Sequence, residues 1–404
     1  MNRGIVFIFA TVLLDMLGLG IIAPVLPKLV LTLSGDDGAR AAAIFGIFGT
    51  VFALMQFVCS PLLGVLSDRF GRRPVIVLSN LGLGLDYVLM ALAPTVSWLF
   101  AGRVIAGITS ATTTTANAYV ADVSQPHQRA QGFGLLGAAF GLGFIAGPAI
   151  GGLLGGIDPR LPFWFAAALS LANAAYGFLV LPESLQRKQR RAIVWRRANP
   201  LGALNLLRSH RDLLGLAMAA FLSVLAGVVL PSIYVLYVSR RYGWDTRAVG
   251  LSLTLVGICS ALAQVALVKP MVTRLGERGA MLAGLLSGAA GMAIFGTATT
   301  GTLFAIGTPL MALWGLAPAA AQSIMTRSVS ASEQGELQGA LGSLAGVASL
   351  LGPGIFTLTY ARSINRHGAG NLPGAAWLLS TLMLLGAAVV TLRVTAAAPS
   401  SEAR

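Results

Sequence analysis

Two aspartates stand where an aspartate is hard to keep. Asp15 falls inside the run IVFIFATVLLDMLGLGII and Asp86 inside VIVLSNLGLGLDYVLMALA, each long enough to cross a bilayer. Of the 14 acids these are the two well inside apolar segments; Asp122 lies at a segment end, and the rest fall in polar loops or tails. A carboxylate at membrane depth is costly, faces a cavity or a partner, and marks an ion or substrate path. Removal from water also makes a carboxyl hold its proton closer to neutral pH, as a proton carrier must. The competing reading is a structural Asp, bonded to a neighbouring helix or neutralised by Arg103. Arg103, in FAGRVIAG, is the basic residue well inside a span. Its permanent charge can pair with an ionised Asp15 and lose that partner on protonation, or form a static ion pair.

The elements that must position these groups follow from composition. The 404 residues are 56% hydrophobic and only 10% charged, with mean hydropathy +0.79, which excludes an ordinary soluble domain. Hydropathy predicts twelve helices, near 5–30, 41–66, 75–93, 98–122, 132–156 and 161–181, then 213–239, 248–268, 280–298, 303–327, 337–360 and 374–393. The expected architecture is an all-α membrane protein of two six-helix bundles, 1–181 and 213–404, joined by a polar linker at 182–212. The linker's basic run, RKQRRAIVWRR, reads as a solvated connector, with binding to anionic lipid headgroups as the alternative. Nineteen Lys and Arg fall on the side of both termini against seven on the other, so the termini are expected in the cytoplasm. The net charge of +14 then reflects topology, not nucleic-acid binding. Cys59 and Cys259 read as small apolar residues, and His127, His210 and His367 have no partner at metal-ligand spacing. Neither a metal site nor a protein cofactor is expected, and no cleavable signal peptide is evident.

The loop between the second and third spans, Gly64 to Pro74, reads GVLSDRFGRRP, and Val272–Gly279 (VTRLGERG) echoes its end 205 residues on. Gly134, Gly137, Gly141, Gly147 and Pro148 recur as Gly339, Gly342, Gly346, Gly352 and Pro353 at the same offset. One offset for two matches points to a duplicated six-helix unit, an arrangement used by transporters. The glycines, with Gly151, also permit tight helix packing whatever the function.

These motifs resemble the major facilitator superfamily over essentially the whole chain. Gly64–Pro74 matches its signature loop, FAGRVIAG its helix 4 motif, and GLGFIAGPAIGG (141–152) the helix 5 motif of drug/proton antiporters. Leu14–Gly18 with Pro24–Pro27, Asp86-Tyr87 and Gly335–Gly339 (GELQG) are similar to the tetracycline/proton antiporter group, whose helix 8 histidine is matched here by Ser260. The resemblance implies that Arg103 helps govern proton movement. It also implies that Asp68 and Arg72 close the cytoplasmic side, in a loop completed by Gly64, Arg69, Gly71 and Arg73, with Asp122 the partner of an arginine. Asp68 is expected to face a helix N-terminus. Because the second copy keeps Arg274, Gly276 and Arg278 but has Thr273 where the first loop has Asp68, the latch is expected to be asymmetric between the halves.

Polar and aromatic residues placed to line a central cavity are Gln56, Tyr87, Asn117, Tyr234, Tyr237, Ser260, Gln264, Trp314 and Gln322. With two acids and one arginine, such a cavity suits a neutral, cationic or amphipathic molecule better than a polyanion. The function expected is export of a hydrophobic or amphipathic drug in exchange for protons. A tetracycline-like compound, arriving as a metal chelate, leads the candidates. The expected protein is a monomer in the bacterial inner membrane. The alternatives are a symporter or facilitator for a sugar or other metabolite and, from another class, a membrane enzyme; the latter lacks convergent catalytic groups.

Overall fold

A computed structural model describes residues 3–110, 112–125, 128–185, 190, 211–330, 333–364 and 372–396. Among them the regular structure is helical throughout. The helices of the first half are α1 (Arg3–Ile22), α2 (Leu26–Leu33), α3 (Gly38–Phe70), α4 (Arg72–Leu92), α5 (Val96–Thr109), α6 (Thr112–Val123), α7 (Arg129–Gly155) and α8 (Leu161–Leu179). The second half holds α9 (Arg211–Gly227), α10 (Val229–Tyr242), α11 (Thr246–Leu262), α12 (Val268–Thr297), α13 (Gly301–Ala312), α14 (Leu316–Arg327), α15 (Gln334–Ile364) and α16 (Ala375–Ala396).

Ten stretches among the described residues are long and apolar enough to cross a bilayer, where the sequence predicts twelve. Both differences have local causes. Thr246–Thr297 counts as one stretch of 52 residues, but Gly276 within it has φ 69° and ψ 169° and breaks the helix. A straight helix of that length would run about 78 Å through a core of about 30 Å. It is two spans. The fourth expected span, 98–122, is divided into α5 and α6, of 14 and 12 residues, each too short to count alone. With these two resolved, the described residues are consistent with the twelve spans expected. Leucines such as Leu85 (61% exposed) and Leu382 (65%) point outward on otherwise packed helices, as a lipid-facing surface requires and a water-facing one does not.

The chain forms two compact units, Met1–Asn199 with Gly243–Gly257, and Pro200–Tyr242 with Ile258–Arg404. Within the first, α1 packs on α7 and α8, α4 on α8, and α3 on α5. Within the second, α9 packs on α15 and α16, and α12 on α14 and α16. Most of the expected linker, 186–189 and 191–210, lies outside the described residues.

Small residues set how closely the helices approach, because lipid supplies no hydrophobic force between them. A Cβ on Gly147 would lie 2.6 Å from the Gly20 Cα, and one on Gly151 would meet the Ile21 carbonyl. The start of α11 joins the first unit in the same way: Gly250 rests on Pro148 and Gly152, and Thr254 Oγ1 donates to the Ile145 carbonyl at 3.1 Å. A Cβ on Gly141 would meet nothing within 4 Å. Gly147→Val is therefore expected to force α1 and α7 apart, destabilising the purified protein by at least about 1–3 kcal/mol. Gly141→Ala is expected to melt within a degree or two of wild type. Thermal unfolding in detergent compares them.

Candidate functional site

The two acids sit on neighbouring helices in different company. Asp86 on α4 is fully buried, and Arg103 Nη2 on α5 donates to its Oδ2 at 2.7 Å. The same nitrogen lies 3.4 Å from Met90 Sδ, and the guanidinium carbon stands 5.7 Å from the centre of the Phe52 ring. A Cβ on Gly102 would strike Asp86 Oδ1, so a glycine is what lets α5 lie against this carboxylate. Oδ1 and Arg103 Nε have no hydrogen-bond partner among the described residues, so a single contact holds the pair. Asp15 on α1 is 7% exposed and neither hydrogen-bonds nor ion-pairs with a described residue. The guanidinium thus goes to Asp86 and not to Asp15, the partner the sequence suggested. One turn beyond Asp15, Gly18 brings α1 against α4 and α8: a Cβ there would sit 3.5 Å from both the Tyr87 ring and Ser170 Oγ.

A pair of amides that the sequence reading passes over ties these helices together. Asn173 on α8, wholly buried, donates through Nδ2 to the Thr11 carbonyl at 2.9 Å and to Asn80 Oδ1 at 3.2 Å. The Thr11 carbonyl lies one helical turn before Asp15, and Asn80 lies six residues before Asp86. One side chain therefore links the helices that carry both acids. An amide inside an apolar run is itself a signal, because in lipid it must find a partner on another helix. Lys28 is a second omission. It lies within the apolar stretch Gly4–Leu33, and its Nζ donates to the Trp244 carbonyl at 3.1 Å.

The signature loop is held by a compact ionic knot. Arg72, 8% exposed, donates to Asp68 at 2.5 Å, to Ser67 Oγ at 2.7 Å and to Asp122 Oδ2 at 3.0 Å. Ser184 Oγ donates to the same Asp122 oxygen at 3.0 Å. Asp68 is half exposed, and Glu183, not Asp68, is the carboxylate on a helix N-terminus. It accepts from the backbone N–H of Arg72 at 2.8 Å and of Arg73 at 3.3 Å, where the positive end of the α4 dipole favours an anion. Gly71, at φ 111°, makes the turn, and a side chain there would collide with Glu183. Arg73 donates to the carbonyls of Gly177 and Phe178, while Arg69 is exposed and Gly64 faces open space.

The second half has a clasp of its own, built differently from the first and without a carboxylate at Thr273. Arg327 donates to Glu277 Oε1 at 2.8 Å, and Ser323 Oγ donates to it at 2.5 Å. Positions 277 and 327 lie 205 residues after 72 and 122, so the clasp is repeated with its charges exchanged. Gly276 repeats the positive φ of Gly71.

The residues expected around a cavity are divided between the two units. In the first unit Gln56 Nε2 donates to Ser110 Oγ at 2.9 Å, Tyr87 is buried beside Gly18, and Asn117 is exposed. In the second, Tyr234 and Tyr237 are buried in an aromatic cluster with Phe304 and Trp377. Ser260 is half-buried, and Gln264 lies on a turn of π-helix, Ala263–Leu267, against Gly315. Trp314 Nε1 donates to Ser223 Oγ at 2.8 Å, and Gln322 lines a cavity of about 320 Å³ within this unit.

Two outcomes follow. Asn173→Leu leaves Asn80 Oδ1 without the donor it has from Asn173 and is expected to lower stability by about 1–3 kcal/mol, read as a fall in melting temperature. Glu277→Arg sets two guanidinium groups together and is expected to destabilise by up to about 1 kcal/mol, because the pair is exposed on the Arg327 side. Adding Arg327→Glu should recover most of that loss in a double-mutant cycle.

Comparisons with known proteins identify the family of the chain. The tetracycline resistance protein of class C from Escherichia coli is 38% identical over 384 residues, spanning 95% of each chain. The class D protein of Salmonella ordonez is 36% identical, also over 95% of each. Among solved structures, the human organic anion transporter MFSD10 superposes with a TM-score of 0.70 at 25% identity, covering 96% of this chain and 99% of that one. The nucleoside transporter NupG superposes at 0.77 with 15% identity, over 98% and 99%, which shows the shared fold. The family model of the Major Facilitator Superfamily matches residues 8–266 and 216–404. This chain, a multi-pass membrane protein of the transporter class, belongs to the Major Facilitator Superfamily.

Proposed function

We propose that the protein exports a hydrophobic or amphipathic drug, a tetracycline-like compound first among candidates, in exchange for protons. The observation that carries this reading is the pair of membrane-buried carboxylates, Asp86 held by Arg103 and Asp15 without an ion-pair partner, in a chain similar to tetracycline resistance proteins. A proton arriving on Asp86 cancels the charge that holds Arg103. The guanidinium remains charged at any working pH and needs another acceptor, which Asp15 supplies once ionised. Alternation between the two acids is what a carrier needs to take up a proton on one face and release it on the other.

The ionic knot around Arg72 acts as the gate of the cytoplasmic face. Breaking it exposes a buried guanidinium, so it opens only when other contacts compensate. The proton gradient drives the cycle with no cofactor; a tetracycline arrives as its metal chelate. The expected setting is the bacterial inner membrane, with a monomeric carrier and both termini cytoplasmic.

Sidedness separates export from import. Everted vesicles with an acidified lumen should accumulate tetracycline, and accumulation in right-side-out vesicles under an outside-acid gradient would instead mark a symporter. Asp86→Asn keeps the volume and an oxygen for Arg103 but does not ionise. It should insert normally and lose at least about nine-tenths of gradient-driven accumulation. Wild-type accumulation by this variant would refute coupling through Asp86.

A further inference from the structure

Along α1, Thr11, Asp15 and Gly18 fall at positions i, i+4 and i+7 and so share one face of the helix. Both ends of that face meet polar groups from other helices. At Thr11 the backbone carbonyl takes the Asn173 amide, and in an α-helix the same carbonyl accepts from the Asp15 N–H. At Gly18 a Cβ would lie 3.5 Å from Ser170 Oγ and 3.8 Å from the Tyr87 hydroxyl. Residues three apart on a helix have their Cβ atoms about 5–6 Å from each other, which sets the Asp15 carboxyl between the two ends.

The groups along this seam are unspent. Ser170 is 1% exposed, and its Oγ has no hydrogen-bond partner among the described residues. Tyr87, 2% exposed, bonds to none of them through its hydroxyl. Asn173 donates to the Thr11 carbonyl and to Asn80, but its Oδ1 is unpaired among the described residues. Buried polar groups are nearly always paired, so three unpaired ones along one seam call for a common partner. Asp15 serves all three: the carboxylate accepts from hydroxyls, and the protonated acid donates to an amide oxygen. None of these bonds is closed in the structure; a change of Asp15 rotamer or one bridging water closes them. Helix packing does not demand the polar groups. At the positions that answer to Asp15, Asn80 and Tyr87 the second unit has Ala220, Leu285 and Met292, the last two wholly buried. The other charged and titratable groups toward α1 are Asp86 on α4, Arg103 on α5, Tyr119 on α6 and Tyr176 on α8, while α7 carries only Arg129 at its exposed start.

We propose that Ser170 and Tyr87 are positioning residues for Asp15, whose hydroxyls donate to its carboxylate and let it stay charged inside the bundle without an ion-pair partner. Asp86 has Arg103 for that purpose; Asp15 has two hydroxyls. The amide clamp of Asn173 holds α1 and α4 in the register that brings both hydroxyls to the acid. The proposal deepens the export reading above and rests on it for the use made of the proton, while the contact itself needs no drug.

Infrared spectroscopy of the full-length protein, reconstituted in lipid without drug, reads the acid directly. The carboxylic carbonyl band that Asp15→Asn abolishes reports protonated Asp15, and its intensity is followed against pH. Ser170→Ala and Tyr87→Phe each delete a hydroxyl and little volume. In each the band should persist to a proton concentration about tenfold lower than in the wild type, because a hydrogen bond to the charged form is lost. Ser170→Thr restores a hydroxyl and should titrate as the wild type does. Ser124→Ala removes an equally unpaired buried hydroxyl beside Gly132, away from the seam, and should leave the band in place. A band unmoved in both Ser170→Ala and Tyr87→Phe, or moved as far by Ser124→Ala, would overturn the proposal. Should Tyr87→Phe fail to insert, the Ser170 variants decide it alone. Shifts as expected in a wild-type background that moves no tetracycline into everted vesicles would sink the export reading and leave the contact standing.

Discussion

The contact between Arg103 and Asp86 is the constraint around which the first unit is arranged. A carboxylate this deep in an apolar bundle must be neutralised or protonated, and a guanidinium cannot be deprotonated to relieve its own burial. The pair therefore fixes which faces of α4 and α5 meet, and Gly102 is required where the carboxylate crosses the seam. The neighbouring contacts extend the same logic. Gly18 admits Tyr87 and Ser170 against α1, and Asn173 fastens that helix to α4 a turn away from Asp15. Each arrangement satisfies a polar group on a different helix, which is how a bundle in lipid acquires a unique register.

Duplication supplied the frame, and divergence supplied the chemistry. Both units pack their helices in the same order, and both make the signature turn at a glycine of positive φ. Both clasp that turn with an Arg–acid pair, although the acid and the arginine have changed places between 72/122 and 277/327. An ion pair survives such an exchange because its attraction depends on the product of the charges. It does not survive half of one, so the two positions must change together. At the places that answer to Asp15, Asp86 and Arg103 the second unit has Ala220, Gly291 and Thr308. Among the described residues, the acids buried within the spans are on one side of the duplication.

Much of this is legible in the sequence, for reasons that differ from feature to feature. Spans are visible because crossing lipid requires long apolar runs; the count falters only where a run turns at Gly276 or divides between α5 and α6. Asp15, Asp86 and Arg103 stand out because charge is so scarce in those runs. Their pairing is not visible, since hydropathy does not say which acid a rotated helix brings to Arg103. The second clasp hides from a residue-by-residue comparison of the loops that stops at Thr273; following 72 and 122 through the repeat reveals it. Asn80 and Asn173 are lost among small residues that tolerate almost any packing.

Membrane-buried carboxylates that can alternate between charged and neutral forms carry a thermodynamic requirement. Where a proton and a second ligand bind at different atoms, exchange between them cannot rest on simple displacement. Coupling must then come from conformations that favour one ligand over the other. Linkage requires the effect to be mutual: whatever factor the drug imposes on proton affinity, the proton imposes on drug affinity. A ligand shifts such an equilibrium only by its differential affinity for the two states. A carboxylate that gains a proton in one conformation and loses it in the other supplies such a difference, and an amide in its place supplies none.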